Sequence, residues 1–123
     1  RGTRESVIAH GPFRYGWFSR WFESQLEPPP KRRFKTPAAF AVSGGSELDK
    51  VAVLGRFADL GRQWAAAIES ANGLDLRRLK VRSAAARFLN YPLGANFRIQ
   101  TAHERRHLWQ AEQVIGQAEF PGV

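Results

Sequence analysis

The chain has 123 residues, a length that suits one domain, and 43% of them are hydrophobic, which excludes a wholly disordered chain. It contains no cysteine, which excludes disulfides, thiolate metal sites and a cysteine nucleophile. The net charge of +8 indicates either an arginine-rich surface or an anionic partner. No apolar run approaches the roughly 20 residues of a membrane span, so we expect a cytoplasmic protein without a membrane partner. The chain also lacks methionine, so we expect it to be a processed or partial form of a longer protein.

Four aromatic residues predict a short helix over residues 13–26. Trp17, Phe18, Trp21 and Phe22 are spaced i, i+1, i+4 and i+5, which places them on one helical face. Prolines at 28–30 should end the helix, because they remove backbone donors and force an extended chain. We expect the protein's own core to cover this aromatic face, with a partner chain as the alternative.

Residues 27–45 read as a long basic loop rich in proline and glycine, of a length that is usually functional or draped over the body of a domain. Its charge is concentrated in a run of basic residues with one embedded aromatic, Lys31-Arg32-Arg33-Phe34-Lys35. Phe34 and Phe40 are the expected anchors of this loop.

The next segment predicts a long helix. Ser46 followed by Asp49 resembles a capping box, and apolar residues then recur with helical spacing as far as Ile68. Asn72-Gly73 supplies the stop. About 26 residues would give a helix of roughly 39 Å, long enough for a bundle.

Residues 74–82 alternate apolar and charged side chains, which fits a strand, but the nearby helices favour a connecting segment. We then expect a short helix that Ser83 caps and that extends to Tyr91, where the following Pro92 ends it. The last long helix is expected from about residue 93 to 115, terminated by Gly116 and Pro121. The predicted fold is therefore an all-α helical bundle in one domain over residues 1–123.

The most specific chemical signal lies in the last predicted helix. His103 and His107 are four residues apart, so their imidazoles lie about 40° apart around the helix and can aim at one point. Two convergent imidazole nitrogens are what a divalent metal needs from a helix. The alternative is a pair of ordinary surface or core histidines.

The same residues also form the bare HExxH pattern of zinc proteases, with Glu104 as the base. The extended form of that motif requires glycine at 110 and histidine at 113, where this chain has Gln110 and Gln113. We therefore do not expect a protease.

The longer run His103-Glu104-Arg105-Arg106-His107-Leu108-Trp109-Gln110 resembles the DinB-like superfamily of metal-binding four-helix bundles, found mainly in bacteria. The segments at 11–17, 27–33 and 73–76 are similar to its loops, so the resemblance covers most of the chain. It implies that this chain is a partial DinB-like domain whose first two bundle helices would precede Arg1.

The resemblance also implies a metal site and a chemistry. His103 and His107 match two of the family's three histidine ligands, and the third would lie on the second bundle helix; we do not expect His10, in a loop, to replace it. Gln110 and Glu104 are candidates for hydrogen bonds to the two histidine ligands. Arg106 is either simply exposed or a candidate for contact with an anionic substrate. The implied function is metal-dependent chemistry on a small molecule, either that of a transferase, such as a thiol-dependent one, or that of a hydrolase. The resemblance and the imidazole ligands leave zinc, nickel and iron open as the metal.

Two other functions compete with this one. The chain could be a non-catalytic relict or truncated bundle that acts through a homodimer or another partner. Alternatively, the basic run at 31–35 could neutralise phosphates while Phe34 stacks on a base, as in a nucleic-acid-binding module.

Overall fold

The computed structural model describes residues 8–33, 35, 38, 49–84 and 86–121. Within these ranges the chain is mostly helical, as predicted, with a small two-stranded sheet that the all-α prediction lacked. The elements in chain order are α1 (Trp17–Leu26), α2 (Lys50–Ser70), β1 (Lys80–Arg82), β2 (Asn90–Pro92) and α3 (Leu93–Ile115). The expected anchors Phe34 and Phe40 lie outside the described residues.

Helix α1 begins at Trp17, four residues later than predicted, because the chain up to Gly16 is extended (φ −63°, ψ 164° at Gly16). It ends at Leu26, just before the three prolines, as predicted. The ring of Phe18 lies 6.0–6.4 Å from its three aromatic neighbours, so the aromatic face exists.

The expectation that the protein's own core covers this aromatic face is wrong for most of it. Trp17 is 75% exposed, and Phe18 and Trp21 are both more than 40% exposed. Only Phe22 packs against the buried core, which is formed by Leu26 with two α3 residues, Ile99 and Ala102.

Helices α1 and α3 pack side by side and run in the same direction. Glu23 of α1 pairs with Arg98 at 2.9 Å, and further along both helices Glu27, just after α1, pairs with Arg105. This α1–α3 unit contains most of the buried apolar residues in the described part of the chain.

Helix α2 begins later than the capping-box prediction placed it. Asp49 caps it, because its carboxylate accepts the backbone N–H groups of Val51 (2.9 Å) and Ala52 (3.2 Å). Ser46 lies outside the described residues. The helix therefore has 21 residues rather than about 26. The helix ends at Ser70 with Ala71 as its C-cap, so Gly73 lies one residue beyond the C′ position that the stop prediction gave it. Gly73 has φ +85°, a conformation that suits glycine, in the turn that follows the helix.

A β-hairpin replaces the connection and short helix that we predicted over residues 74–91. β1 pairs antiparallel with β2, with Val81 opposite Tyr91. Ser83 accepts the N–H of Ala86 (3.2 Å), as a cap would, but its own N–H donates to the carbonyl of Leu89 (2.9 Å). That second bond turns the chain back into a strand instead of a helix.

Helix α3 has the predicted bounds. Pro92 precedes it without a side-chain cap, and the first N–H groups, of Leu93 and Gly94, donate to the carbonyls of Leu79 (2.8 Å) and Leu76 (2.9 Å). The segment leading to β1 thus fixes the start of the helix that carries the histidine pair. None of the helices in the described ranges is long and apolar enough to cross a membrane.

Candidate metal centre

The structure brings His103 and His107 together on one side of α3. Their Nε2 atoms are 2.6 Å apart and their ring centroids are 4.5 Å apart. One helical turn separates the two residues, so the regular α3 backbone alone sets this convergence. The pair predicted from the sequence is therefore confirmed as a geometric pair.

Gln110 favours one tautomer of His107. The Nδ1 atom of His107 lies 3.0 Å from Oε1 of Gln110, and this contact is a hydrogen bond when the ring proton is on Nδ1, because a carbonyl oxygen only accepts. The Nε2 atom of His107 then carries a lone pair, directed at His103. Ligand histidines in metal proteins are held in the same way, by an acceptor on the nitrogen that faces away from the metal.

His103 is half-buried, and its surroundings disfavour a charge on its ring. Burial lowers the pKa of His103 below 6.5, and a second positive charge beside His107 and Arg106 is unfavourable, which lowers it further. The carboxylate of Glu104 opposes this shift, and its hydrogen-bonding role stays a prediction. A neutral imidazole is the form that binds a metal.

The spacing of the two nitrogens fits a metal after a small movement. Two imidazole nitrogens at 2.0–2.1 Å from a tetrahedral zinc ion lie about 3.3 Å apart, so the pair would have to separate by about 0.7 Å. Rotation of two partly exposed rings achieves this without moving the α3 backbone.

Within the described ranges, no third histidine, cysteine, aspartate or glutamate joins the pair to make a three-ligand cluster. His10 is exposed, next to Ala9, whose N–H donates to the carbonyl of Gly73 (3.1 Å). The two imidazoles are therefore the ligands that the described chain offers.

Two arginines beside the pair hold α3 in place. Arg106 is buried and donates to the carbonyl oxygens of Gln25 (3.4 Å) and Arg32 (3.2 Å), whereas Arg105 pairs with the carboxylate of Glu27. The expectation of an exposed Arg106 is wrong, because the segment after α1 lies over it. Its contact with an anionic substrate stays a prediction.

A second feature was missed by the sequence analysis: an open cleft of about 390 Å³ between the start of α1 and the hairpin. Three cations, Arg14, Arg77 and Lys80, line it together with the exposed ring of Trp17, and no carboxylate is among its lining residues. The cations come from separate segments, so no local motif reveals them. The available signal was compositional, since residues 76–97 contain five lysines or arginines and no acidic residue.

The histidine pair, its glutamine and the arginines behind it thus form one candidate site on α3. Comparison of the chain with models of known protein families, with curated proteins and with solved structures finds no match to any of them.

Proposed function

We propose that this chain is a DinB-like protein that binds a divalent metal ion through the Nε2 atoms of His103 and His107 and acts on a small molecule. The observation that carries the proposal is the convergence of these two atoms at 2.6 Å on one face of α3. The resemblance of the surrounding sequence to the DinB-like superfamily supports the same site. Imidazole ligands suit zinc, nickel and iron.

The residues of the site have distinct tasks in this proposal. Gln110 keeps the proton of His107 on Nδ1, so Nε2 is free to bind. Burial lowers the pKa of His103 below 6.5, which favours the neutral imidazole that binds a metal. Two protein ligands leave coordination positions open, and a divalent metal there would lower the pKa of a bound water or thiol and so supply a nucleophile. This is the chemistry of a thiol-dependent transferase or a hydrolase.

Thermal unfolding with and without Zn²⁺ or Ni²⁺ tests the proposal. A metal that binds the folded chain raises its Tm, by an amount that grows with the free metal concentration. We expect this rise in the parent chain and its loss in His103→Ala and in His107→Ala. His10→Ala removes an exposed loop histidine and should keep the full rise. A parent chain whose Tm stays the same with and without either metal would contradict the proposal.

The basic cleft supports a second function, binding of single-stranded nucleic acid. Arg14, Arg77 and Lys80 can neutralise phosphates, and the ring of Trp17, 75% exposed, can stack on a base. Asp75 is an acidic residue close in sequence to Arg77 of the cleft. Its carboxylate is engaged elsewhere, because it accepts the backbone N–H groups of Arg77 (3.1 Å) and Arg78 (3.0 Å). This site differs from the basic run at 31–35 that the sequence suggested.

Salt dependence tests this second function. Three phosphate contacts to a single strand give a slope of about −2 in log affinity against log salt concentration. The double variant Arg14→Ala, Lys80→Ala should reduce the slope to about −0.7. Arg56→Ala also removes a positive charge, but from α2, and should leave the slope unchanged. An affinity for oligonucleotide that does not change with salt concentration would exclude phosphate contacts in the cleft.

A further inference from the structure

Helix α2 carries an apolar surface that the rest of the described chain leaves open. No residue of α2 is buried, although all 21 are described. We call the following side chains, which share one side of the helix, the α2 stripe: Val53, Leu54, Phe57, Leu60, Trp64 and Ile68. Among the described residues, the aromatic contact of the stripe with the rest of the fold lies in its carboxyl-terminal half, where the ring of Trp64 is 5.4 Å from that of Phe97.

The stripe exposes an apolar patch of the size that often marks an interaction surface. Its members are 38% (Ile68) to 61% (Phe57) exposed, apart from the half-buried Trp64. At about 150–220 Å² for each fully exposed side chain, this is roughly 500 Å² of apolar surface on one helix. Two such stripes together contribute about 1,000 Å², the area at which a specific protein interface begins.

We propose that α2 pairs antiparallel with α2 of a second copy of this chain, about a two-fold axis that passes between Leu60 and Gly61. Such an interface is isologous, because each stripe covers the other. The amino-terminal half of each stripe, which nothing in the described chain covers, then lies on the carboxyl-terminal half of the second copy's stripe. This inference goes beyond the proposed metal and nucleic-acid functions.

Size complementarity favours this register. Leu60 faces the second copy's Gly61, and Leu54 lies level with the second copy's Ala67, so large side chains meet small ones. Phe57 lies level with the second copy's Trp64, which makes an aromatic pair at each end of the interface. In a parallel pair, by contrast, Gly61 would face Gly61 and leave a gap between the helices.

Charge also favours the antiparallel direction. Lys50 is the first residue of α2 and Glu69 is the last but one. Antiparallel pairing brings Lys50 to within about 3 Å, along the axis, of the level of the second copy's Glu69. Parallel pairing would bring like charges together at both ends, which is unfavourable.

Light scattering of the 13.9 kDa chain tests the association. We expect twice the chain mass for the parent and the mass of one chain for Phe57→Glu, which puts a charge into the stripe. Ala66→Glu places the same charge on the opposite side of α2 and should remain dimeric. A monomeric parent at micromolar concentration would overturn the proposal, as would a Phe57→Glu variant that stays dimeric. Because the stripe contains no histidine, metal binding and dimerisation can fail independently.

Cysteine cross-linking tests the register, since the chain has no cysteine of its own. A Cβ at position 61 would meet no other atom within 4 Å, so Gly61→Cys does not disturb the single chain. We expect Gly61→Cys to form a disulfide dimer on mild oxidation and Ala66→Cys to form none. Val53→Cys should also form none, because the two copies of residue 53 lie about 22 Å apart along an antiparallel pair. Efficient cross-linking of Val53→Cys would show a parallel pair and overturn the register.

Discussion

The Nε2 atoms of His103 and His107 lie 2.6 Å apart, and Gln110 holds the proton of His107 on the other ring nitrogen. With His107 protonated on Nδ1, the short contact between the two Nε2 atoms places the proton of His103 on its Nε2. For both Nε2 atoms to bind a divalent cation, that proton would have to move to Nδ1 of His103, which leaves the imidazole neutral. The N–H bond on Nε2 of His103 and a bound metal therefore exclude each other.

Replacing Gln110 by alanine should weaken metal binding without removing a ligand. Loss of the acceptor lets His107 move its proton to Nε2, which blocks the ligand atom. Loss of such a supporting hydrogen bond usually lowers metal affinity about 10–100-fold. Calorimetric titration with Zn²⁺ measures this, and Gln113→Ala is the control, because that exposed glutamine has no described contact with the pair. Equal affinity in the parent and Gln110→Ala would show that Gln110 has no part in the site.

The ion pair between Glu27 and Arg105 should make stability depend on pH in the acid range. The hydrogen bond from Arg105 lowers the pKa of Glu27 below 4.5 in the folded chain. A carboxyl with a depressed pKa contributes stability above its unfolded pKa, and this contribution disappears as the pH falls through the folded pKa. Both side chains are partly exposed, so the contribution at pH 7 should be below about 1 kcal/mol.

Urea unfolding of Glu27→Gln against the parent measures this contribution. We expect the variant to be less stable at pH 7 and the difference in stability to shrink as the pH falls below 4.5. Glu112→Gln removes an exposed carboxylate of α3 that has no described ion pair, and it should change stability little at any pH. If the loss of stability in Glu27→Gln did not depend on pH, it would come from packing rather than from charge.

The neighbouring arginines should differ in their effect on stability. Arg106→Ala removes a buried guanidinium that donates to the carbonyls of Gln25 and Arg32, and it should cost about 2–3 kcal/mol. Arg105→Ala removes an exposed ion pair and should cost below about 1 kcal/mol. Chemical denaturation compares the two variants directly. Equal losses would contradict the buried position of Arg106.

Gly94 should tolerate no side chain, because the start of α3 lies against Tyr15. A Cβ there would lie 1.7 Å from the hydroxyl of Tyr15 and 2.9 Å from the Cβ of Leu76. We expect Gly94→Ala to cost about 1–3 kcal/mol in the free energy of unfolding. Gly55→Ala is the same substitution in a helix with free space around it, and it should stabilise by up to about 1 kcal/mol. A stable Gly94→Ala variant would contradict the packing of α3 on Tyr15.

The features that sequence predicted well are those set within one helix. The bounds of α3 follow from Pro92 and Gly116, and the convergence of its histidines follows from a spacing of four residues. The contact of Gln110 with His107 has the same local origin. Helical geometry alone decides these relationships, so a single sequence is enough to predict them.

The features that sequence missed depend on contacts between distant segments. The alternation over residues 74–82 fits a strand, but nothing in the sequence showed that Val81 would pair with Tyr91, so the hairpin was not predicted. Arg106 donates to the backbone carbonyl of Arg32, and because every residue has such a carbonyl, the sequence gives no sign of this contact. The exposure of the α2 stripe could not be predicted either, because periodicity shows that a face is apolar but not what covers it.

The chain has three histidines, so their ring nitrogens can be followed one by one by ¹H–¹⁵N NMR during a Zn²⁺ titration. If His103 and His107 share a metal ion, their Nε2 resonances should shift together, with the same midpoint, while those of His10 stay in place. The Nδ1 proton of His107 should remain, because Gln110 holds it. Unchanged Nε2 resonances of His103 and His107 at saturating Zn²⁺, or a shift confined to His10, would contradict the metal centre.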